Sequence, residues 1–215
     1  SNLTVHTAEH IIDQKLDKPI FERGLKYKEV IIGNNVYAHV PDINDFTRGL
    51  KAALKFGGTI TLEFPHLMRL IEKSQFDTIY HEHFSYLSLY TVNKIFSSFG
   101  LRIWHVEEIS IHGGSLRVYG CHHDDKRDNK DSVEKVLKNE LTEGLKKIET
   151  YNDFSNKANK IKDDLVSFLI EQKKLGYNTL AYGAAAKGIT LLNYAGIKQD
   201  LLPFVFDAAK SKQGQ

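Results

Sequence analysis

Apolar residues in the first half of the chain occur in short runs that alternate with a helical pattern. Residues 28–36 and 59–64 form apolar runs of strand length, and the first run ends in polar residues. Between them, apolar residues recur at helical spacing over residues 42–56, and Gly57 and Gly58 are expected to stop that helix. The order strand, helix, strand predicts a parallel sheet of the α/β class.

The next segment has the pattern of a helix followed by a β-hairpin. Apolar residues are spaced as in a helix over residues 88–99, and Gly100 ends the pattern. A shorter helical pattern covers residues 7–15. Two strand-like runs, 102–109 and 115–122, surround a Gly-Gly pair. We therefore expect the parallel sheet to end in an antiparallel hairpin.

The second half of the chain follows a wholly polar stretch. Residues 123–131 contain no apolar residue and predict a linker. Long helical patterns come next, with a break near Asn152, and residues 178–207 have the pattern strand, glycine-bearing turn, helix, strand. The sequence thus predicts one domain over residues 1–122 and a second over residues 132–215.

The nearly balanced charge of the chain limits the kinds of binding partner that are expected. The chain carries 29 basic and 27 acidic residues, a formal charge of +2, which argues against general binding of nucleic acid or acidic membranes. It has no signal-peptide pattern and no apolar run of about 18 residues, so a cytoplasmic protein is expected. Charged residues of the first long helix, Glu140 among them, are predicted to form a solvated face.

Residues 75–86 contain the highest concentration of side chains that can transfer protons. Two imidazoles, a carboxylate and a phenol occupy four consecutive positions, Tyr80 to His83. Such a group can accept, orient and donate protons near neutral pH. A His-x-His spacing is equally compatible with a zinc site or with surface histidines. Cys121 is the only cysteine, which excludes an internal disulfide and a cysteine-rich zinc site.

Three sequence blocks together resemble one known family. They are F-D-T-I-Y-H-E-H-F-S-Y at residues 76–86, H-G-G-S-L-R at 112–117 and Y-G-A-A-A-K-G at 182–188. In this order they resemble the deoxysugar C-methyltransferases, which use S-adenosylmethionine (SAM) to methylate a ring carbon of a nucleotide-linked keto-deoxysugar. The similarity extends from about Gly33 to Gly214. It implies a partial class I, Rossmann-like methyltransferase sheet ending in the hairpin, then a helical segment and a second partial Rossmann-like domain.

The resemblance assigns roles to the histidine cluster. Methylation beside a keto group needs a base for the alpha proton and a donor that stabilises the enolate. His83 matches the histidine that ends the family's Y-H-E-H motif and is the predicted base, with Tyr80 as the donor. Glu82 is expected to orient an imidazole or bind a sugar hydroxyl, and His81 to contact substrate. His39 is a second candidate acid or base, with a capping role on a polar loop as the alternative.

Two strand ends supply further candidates. Asn34 and Asn35 follow the first strand, where α/β folds place groups over the reacting centre, and are expected to contact SAM. Ser115 and Arg117 in the hairpin are candidate contacts for the sugar or its phosphates. A structural role explains these two residues equally well.

The turn of the third block is a candidate cradle for a diphosphate or a nucleotide. Small residues there let backbone amides approach an anion at a helix N-terminus, and Lys187 adds a positive charge. Tyr182 precedes the turn and is a further candidate contact for substrate. Similar turns also serve only for packing in many Rossmann-like units.

Two features of the family are missing from the sequence. They are the small N-terminal zinc domain with its cysteines and the glycine-rich SAM loop with its ribose-binding acidic residue. The chain is therefore expected to be a fragment that holds no zinc, binds SAM poorly and is inactive alone. Because an incomplete sheet exposes apolar edges, a homodimer or a domain-swapped arrangement is expected.

Two other classes of protein remain open at this point. An NAD-dependent sugar-nucleotide oxidoreductase would use the Gly183 turn for its cofactor, although no G-x-G-x-x-G is present. A protein that binds sugar nucleotides without turnover would share the nucleotide site and show no activity.

Overall fold

The computed structural model describes residues 28–214, and the helix predicted over residues 7–15 lies outside them. Contacts along the chain define two compact units. Within the described residues, the first unit comprises residues 28–70 and 83–146, and the second comprises residues 71–82 and 147–214. Within 28–214, no helix is both long and apolar enough to cross a membrane.

The first unit is built on a four-stranded sheet. Strand β1 runs parallel to β2, and β4 pairs antiparallel with both β2 and β3, in the order β1-β2-β4-β3. The predicted α/β sheet that ends in an antiparallel hairpin is thereby confirmed. The elements are β1 (Lys28–Asn34), α1 (Ile43–Ala53), β2 (Leu54–Pro65), α2 (Leu67–Glu72), α3 (Leu89–Ser98), β3 (Leu101–Ile109), β4 (Ser115–His122) and α4 (Asp131–Thr142).

Helix α1 ends earlier than the sequence predicts. The chain enters β2 directly at Leu54, and Gly57 and Gly58 lie inside that strand. A Cβ on Gly58 would lie 2.9 Å from the carbonyl oxygen of Glu29 on β1, at the point where the register of the two strands shifts. The expectation that these glycines stop the helix is wrong, because both lie inside β2, where Gly58 permits the close approach to β1 and Gly57 adopts a positive φ of 79°.

The core of the first unit lies between one face of the sheet and helices α1 and α3. Alternate residues of β2 and β4 point into it, as expected for strands with one buried face. Gly120 on β4 admits the ring of Phe96 on α3, since a Cβ there would lie 2.4 Å from that ring. The core side chains include Leu50, Ile60, Leu62, Phe64, Leu89, Val92, Phe96, Leu101, Ile103, Leu116 and Val118.

The polar stretch after β4 lies against the sheet. The guanidinium of Arg127 donates to the carbonyl oxygens of Gly57 and Gly58, and the backbone N–H of Lys130 donates to the carbonyl of Trp104. Helix α4 then adds Val133 and Val136 to the core. The first unit therefore extends to residue 146, beyond the predicted linker.

The second unit combines a long helix with a small parallel sheet. Its elements are α5 (Ile148–Lys174), β5 (Ala181–Tyr182), α6 (Ala186–Tyr194) and β6 (Val205–Phe206), with β5 parallel to β6. The predicted strand, turn, helix, strand pattern is confirmed. The predicted helix break near Asn152 is wrong, because that residue lies within α5 and the break occupies residues 143–147.

Candidate active site

The histidine motif is shared between the two units. The division falls between Glu82 and His83. In the second unit, Phe76 is buried and its ring centroid lies 5.1 Å from that of Tyr194 on α6. The apolar start of the motif thus anchors residues 71–82 in the second unit, whereas His83 and the residues after it belong to the first.

The loop after β1 places His39. Asn35 adopts a left-handed conformation with φ of 54°, and its N–H donates to the carbonyl of Glu63 on β2 at 2.8 Å. Tyr37 is fully buried, and its hydroxyl lies 2.6 Å from that of Thr47 on α1. Burial raises the pKa of Tyr37 to about 12, although the hydrogen bond to Thr47 opposes the shift. Because the loop is fixed on both sides of it, His39 has a defined position.

Main-chain hydrogen bonds bring His83 to His39. The backbone N–H groups of Phe84 and Ser85 both donate to the carbonyl oxygen of Ala38, at 2.9 and 3.1 Å. Their neighbours in the chain, His83 and His39, meet edge to face with ring centroids 4.7 Å apart. The two half-buried imidazoles thus form a pair in direct contact, and histidine is a common acid and base in catalysis.

The remaining motif residues lie in the second unit. Burial raises the pKa of the Tyr80 phenol, and the nearby carboxylates of Glu82 and Asp77 raise it further. The phenol therefore keeps its proton at neutral pH and can act as a hydrogen-bond donor. His81 and Glu82 are exposed. Their predicted contacts with substrate stay predictions.

Asn34 and Asn35 lie at the end of β1, and their predicted contact with SAM stays a prediction. Both residues stand at the carboxyl end of β1, the end at which α/β folds bind nucleotides. Within residues 28–214, neither side chain makes a hydrogen bond to the protein. Each amide can thus offer a donor and an acceptor to a polar group at this strand end.

Arg117 is already paired with carboxylates. Its Nη2 lies 2.8 Å from Oε2 of Glu63, which is buried, and its Nη1 lies 3.5 Å from Glu107. Hydrogen bonding to Glu63, and then to Tyr119, raises the pKa of Arg117. Ser115 is buried, and its hydroxyl donates to the carbonyl of Ile111 at 3.4 Å. The structural alternative for both residues is therefore supported, and substrate contact stays a prediction.

The turn after β5 is organised by an acidic residue. Gly183 has φ of 100°, and the N–H of the next residue, Ala184, donates to Oδ2 of Asp207 at 2.8 Å. Lys187 stands in the first turn of α6, and Tyr182 is 79% exposed. Sequence reasoning missed Asp207, although an acidic residue directly after the second strand of a Rossmann-like unit was the available signal.

Glu140 corrects a further expectation. It was predicted on a solvated helix face, but it is 2% exposed. It lies on the same stripe of α4 as Val133 and Val136, three or four residues apart, and that stripe faces the core. A charged residue at a position of the apolar helical repeat was the signal for a buried carboxylate. Within residues 28–214, no group of three or more His, Cys, Asp or Glu residues is arranged to hold a metal ion.

The comparisons with known proteins point to one enzyme class. A family model described as "C-methyltransferase C-terminal domain" matches residues 110–215. C-methyltransferase NovU of Streptomyces niveus is 32% identical over 186 residues, which are 86% of this chain and 44% of NovU. The chain thus spans less than half the length of this relative.

The chain also has a weak similarity to one solved structure. It is magnesium protoporphyrin IX methyltransferase (ChlM) from Synechocystis PCC 6803 with bound SAH. The identity is 14%, the TM-score is 0.36, and the match covers 45% of this chain and 46% of ChlM. This likeness is too low to carry an argument.

The sheet order, with parallel strands closed by an antiparallel hairpin, is that of a class I methyltransferase. The histidine pair follows the carboxyl end of β1, the end at which open α/β sheets bind their ligands. The family-model match over residues 110–215 and the likeness to NovU support the C-methyltransferase family that the sequence blocks predicted.

Proposed function

We propose that the whole protein methylates a carbon next to the keto group of a nucleotide-linked deoxysugar. The observation that carries the proposal is the contact between the imidazoles of His39 and His83 at the carboxyl end of β1. A keto sugar needs a base at this point, because its alpha carbon becomes a nucleophile only after losing a proton. SAM, the methyl donor of methyltransferases of this class, would supply an electrophilic methyl group on a sulfonium.

Side chains of the protein accept the alpha proton and stabilise the negative charge of the enolate. The neutral imidazole of His83 takes the proton as the C–H bond breaks, and the electron pair moves onto the keto oxygen as an enolate. His39, in contact with that ring, can stabilise the imidazolium or pass the proton on. The phenol of Tyr80 is the proposed hydrogen-bond donor to the enolate oxygen. The keto group returns when the carbon takes the methyl group.

The other assignments extend this proposal to binding. Asn34 and Asn35 contact SAM, Glu82 binds a sugar hydroxyl or orients a ring, and His81 contacts the sugar. Four residues are proposed contacts for the sugar nucleotide: Ser115, Arg117, Tyr182 and Lys187. For the 215-residue chain by itself, a homodimer is proposed because β1 pairs only with β2 within residues 28–214. Its side chains Val30 and Ile32 are 56% and 68% exposed.

Hydrogen exchange at the sugar carbon tests the base separately from methyl transfer. The full-length protein is incubated in D2O with a nucleotide-linked keto-deoxysugar, without SAM, and exchange at the alpha carbon is followed by NMR. Methyl transfer is then measured with SAM present. We expect His83→Asn to slow both by about a hundred- to ten-thousandfold, the usual contribution of a positioned general base.

His123→Asn is the matched control, because His123 is an exposed histidine of the same unit. It should leave both rates unchanged. Wild-type exchange by His83→Asn would overturn the assignment of the base. Nucleotide-sugar binding by the wild-type protein without exchange or transfer would favour a binding protein without turnover.

A further inference from the structure

Glu140 makes three hydrogen bonds to other parts of the first unit, two of them fully buried. Its Oε1 accepts from the backbone N–H of Leu89 at 2.6 Å and from Nε2 of His66 at 2.8 Å. Its Oε2 accepts from the backbone N–H of Tyr90 at 2.9 Å. Both His66 and Glu140 are almost completely buried. Because a polar group loses its hydration on burial, these three donors compensate the side chain of Glu140 for the lost water.

The carboxylate serves the start of helix α3. Leu89 and Tyr90 are the first residues of that helix, whose first turn contains no acidic residue of its own. The Ser88 hydroxyl accepts the N–H of Thr91, so Ser88 and Glu140 together satisfy donors that a helix leaves open at its N-terminus. A negative charge at this end also opposes the helix dipole. Glu140 thus fixes the beginning of α3 from another helix.

The chain between His83 and α3 is held at both ends. At the first end, Phe84 and Ser85 donate to the carbonyl of Ala38. At the other, the carbonyl of Leu87 accepts the N–H of Leu67, and Leu87 pairs with His66 in an isolated bridge. Residues 83–88 thus extend from the histidine pair to the helix start that Glu140 holds.

We propose that Glu140, together with His66, is a positioning residue for His83. This proposal rests on the proposed function. The buried carboxylate fixes the start of α3 and the ring of His66. These two groups fix residues 83–88, which set the distance between the His83 and His39 imidazoles. Nδ1 of His66 is buried without a hydrogen-bond partner among residues 28–214. The ring of His66 therefore bonds only to Glu140, through Nε2, as expected for a ring whose role is to orient the carboxylate.

Glu140→Gln in the full-length protein tests this role. The amide keeps the shape, but only its oxygen accepts, so its NH2 group meets a backbone N–H in place of an acceptor. We expect kcat to fall about ten- to a hundredfold, because small misplacements of a catalytic group are costly. The KM values for the sugar nucleotide and for SAM should stay within about twofold, since loss of an interaction needed only in the transition state leaves KM unchanged.

An NMR measurement separates this proposal from the proposed reaction. Cross-relaxation between the ring protons of His39 and His83 reports their contact without any turnover. The signal should be present in the wild-type protein, weak or lost in Glu140→Gln, and retained in Val136→Ala. Val136 is buried on the same helix and its side chain cannot form hydrogen bonds, so its variant loses stability but keeps the bonds from Glu140 to the start of α3.

Each outcome has a defined meaning. A folded Glu140→Gln variant that keeps the ring contact would overturn the positioning role, and so would an equal loss of contact in Val136→Ala. If Glu140→Gln does not fold, His66→Leu removes one of the three donors and should weaken the same signal. Loss of the contact in a protein that transfers no methyl group would uphold the positioning role and contradict the proposed function.

Discussion

The two units of the protein have the same α/β pattern but support it very differently. In the first unit, a four-stranded sheet packs on helices, and Tyr37, Phe64 and Phe96 are fully buried. In the second unit, the strands have two residues each. Its buried apolar side chains, within residues 71–82 and 147–214, are Phe76, Ala158, Leu169 and Leu202.

The exposed face of the small sheet makes the difference concrete. Tyr182 and Phe206 on the two strands, and Leu180 and Phe204 directly before them, carry exposed apolar or aromatic side chains. Parallel sheets are normally covered on both faces. The histidine pair, by contrast, stands on elements whose positions are fixed by a closed core.

The largest expected difference between the units is in stability. Phe96→Ala should lower the free energy of unfolding by about 3–5 kcal/mol, the usual cost of removing a buried aromatic ring. Phe206→Ala, the matched change on the exposed face of the second unit, should stay within about 0.5 kcal/mol. Urea denaturation followed by fluorescence and circular dichroism measures both. Comparable losses would mean that the face of β6 is covered in solution.

The next comparison concerns the halves of the histidine motif. Tyr80→Phe in the full-length protein should reduce methyl transfer about ten- to a hundredfold, because a hydrogen bond to a charged group contributes about 1.5–3 kcal/mol. This is less than the loss expected for His83→Asn. Tyr177→Phe, at an exposed tyrosine of the same unit, should have no effect. A loss for Tyr80→Phe as large as that for the His83 variant would assign the proton transfer to the phenol.

The smallest effect is expected at the turn of the second unit. Backbone hydrogen bonds, first from Ala209 and then from Ala184, and the charge of Lys212 lower the pKa of Asp207. A carboxyl whose pKa is lower in the folded state stabilises the fold above its unfolded pKa, near 3.9. That contribution disappears as the pH falls through the folded value. Asp207→Asn should therefore lower stability slightly at pH 6 and change it little at pH 2.

Carbon-13 NMR of the Asp207 carboxyl gives a direct measurement. Its titration midpoint should lie below the ordinary value for an aspartate. A midpoint at or above that value would show that the bonds to Ala184 and Ala209 are not formed in solution. The turn that carries Lys187 would then lack the organisation described here.

Local patterns predicted the regular elements well, for reasons visible at single residues. Gly100 ends α3 with φ of 68°, a conformation that glycine adopts without strain. The hairpin and the strand, turn, helix unit follow from alternation and turn residues. The same reasoning misassigned Gly57 and Gly58, because a glycine marks an unusual backbone or a close contact without saying which. It also misplaced Glu140, because charge alone does not reveal that a residue faces the core.

The sequence by itself determined the fold class, the likeness to C-methyltransferases and the candidate site residues, since these depend on periodicity and on local motifs. His39 and His83 are forty-four positions apart in the chain. Only the tertiary structure showed that they meet, through two hydrogen bonds to the carbonyl of Ala38. It alone also buried Glu140 against α3. Such pairings depend on backbone groups, which are the same in every residue, and on the register in which distant segments meet. The helical repeat of α4 marks Glu140 as a core position, but the side chains do not specify which backbone groups it meets or the register of distant segments.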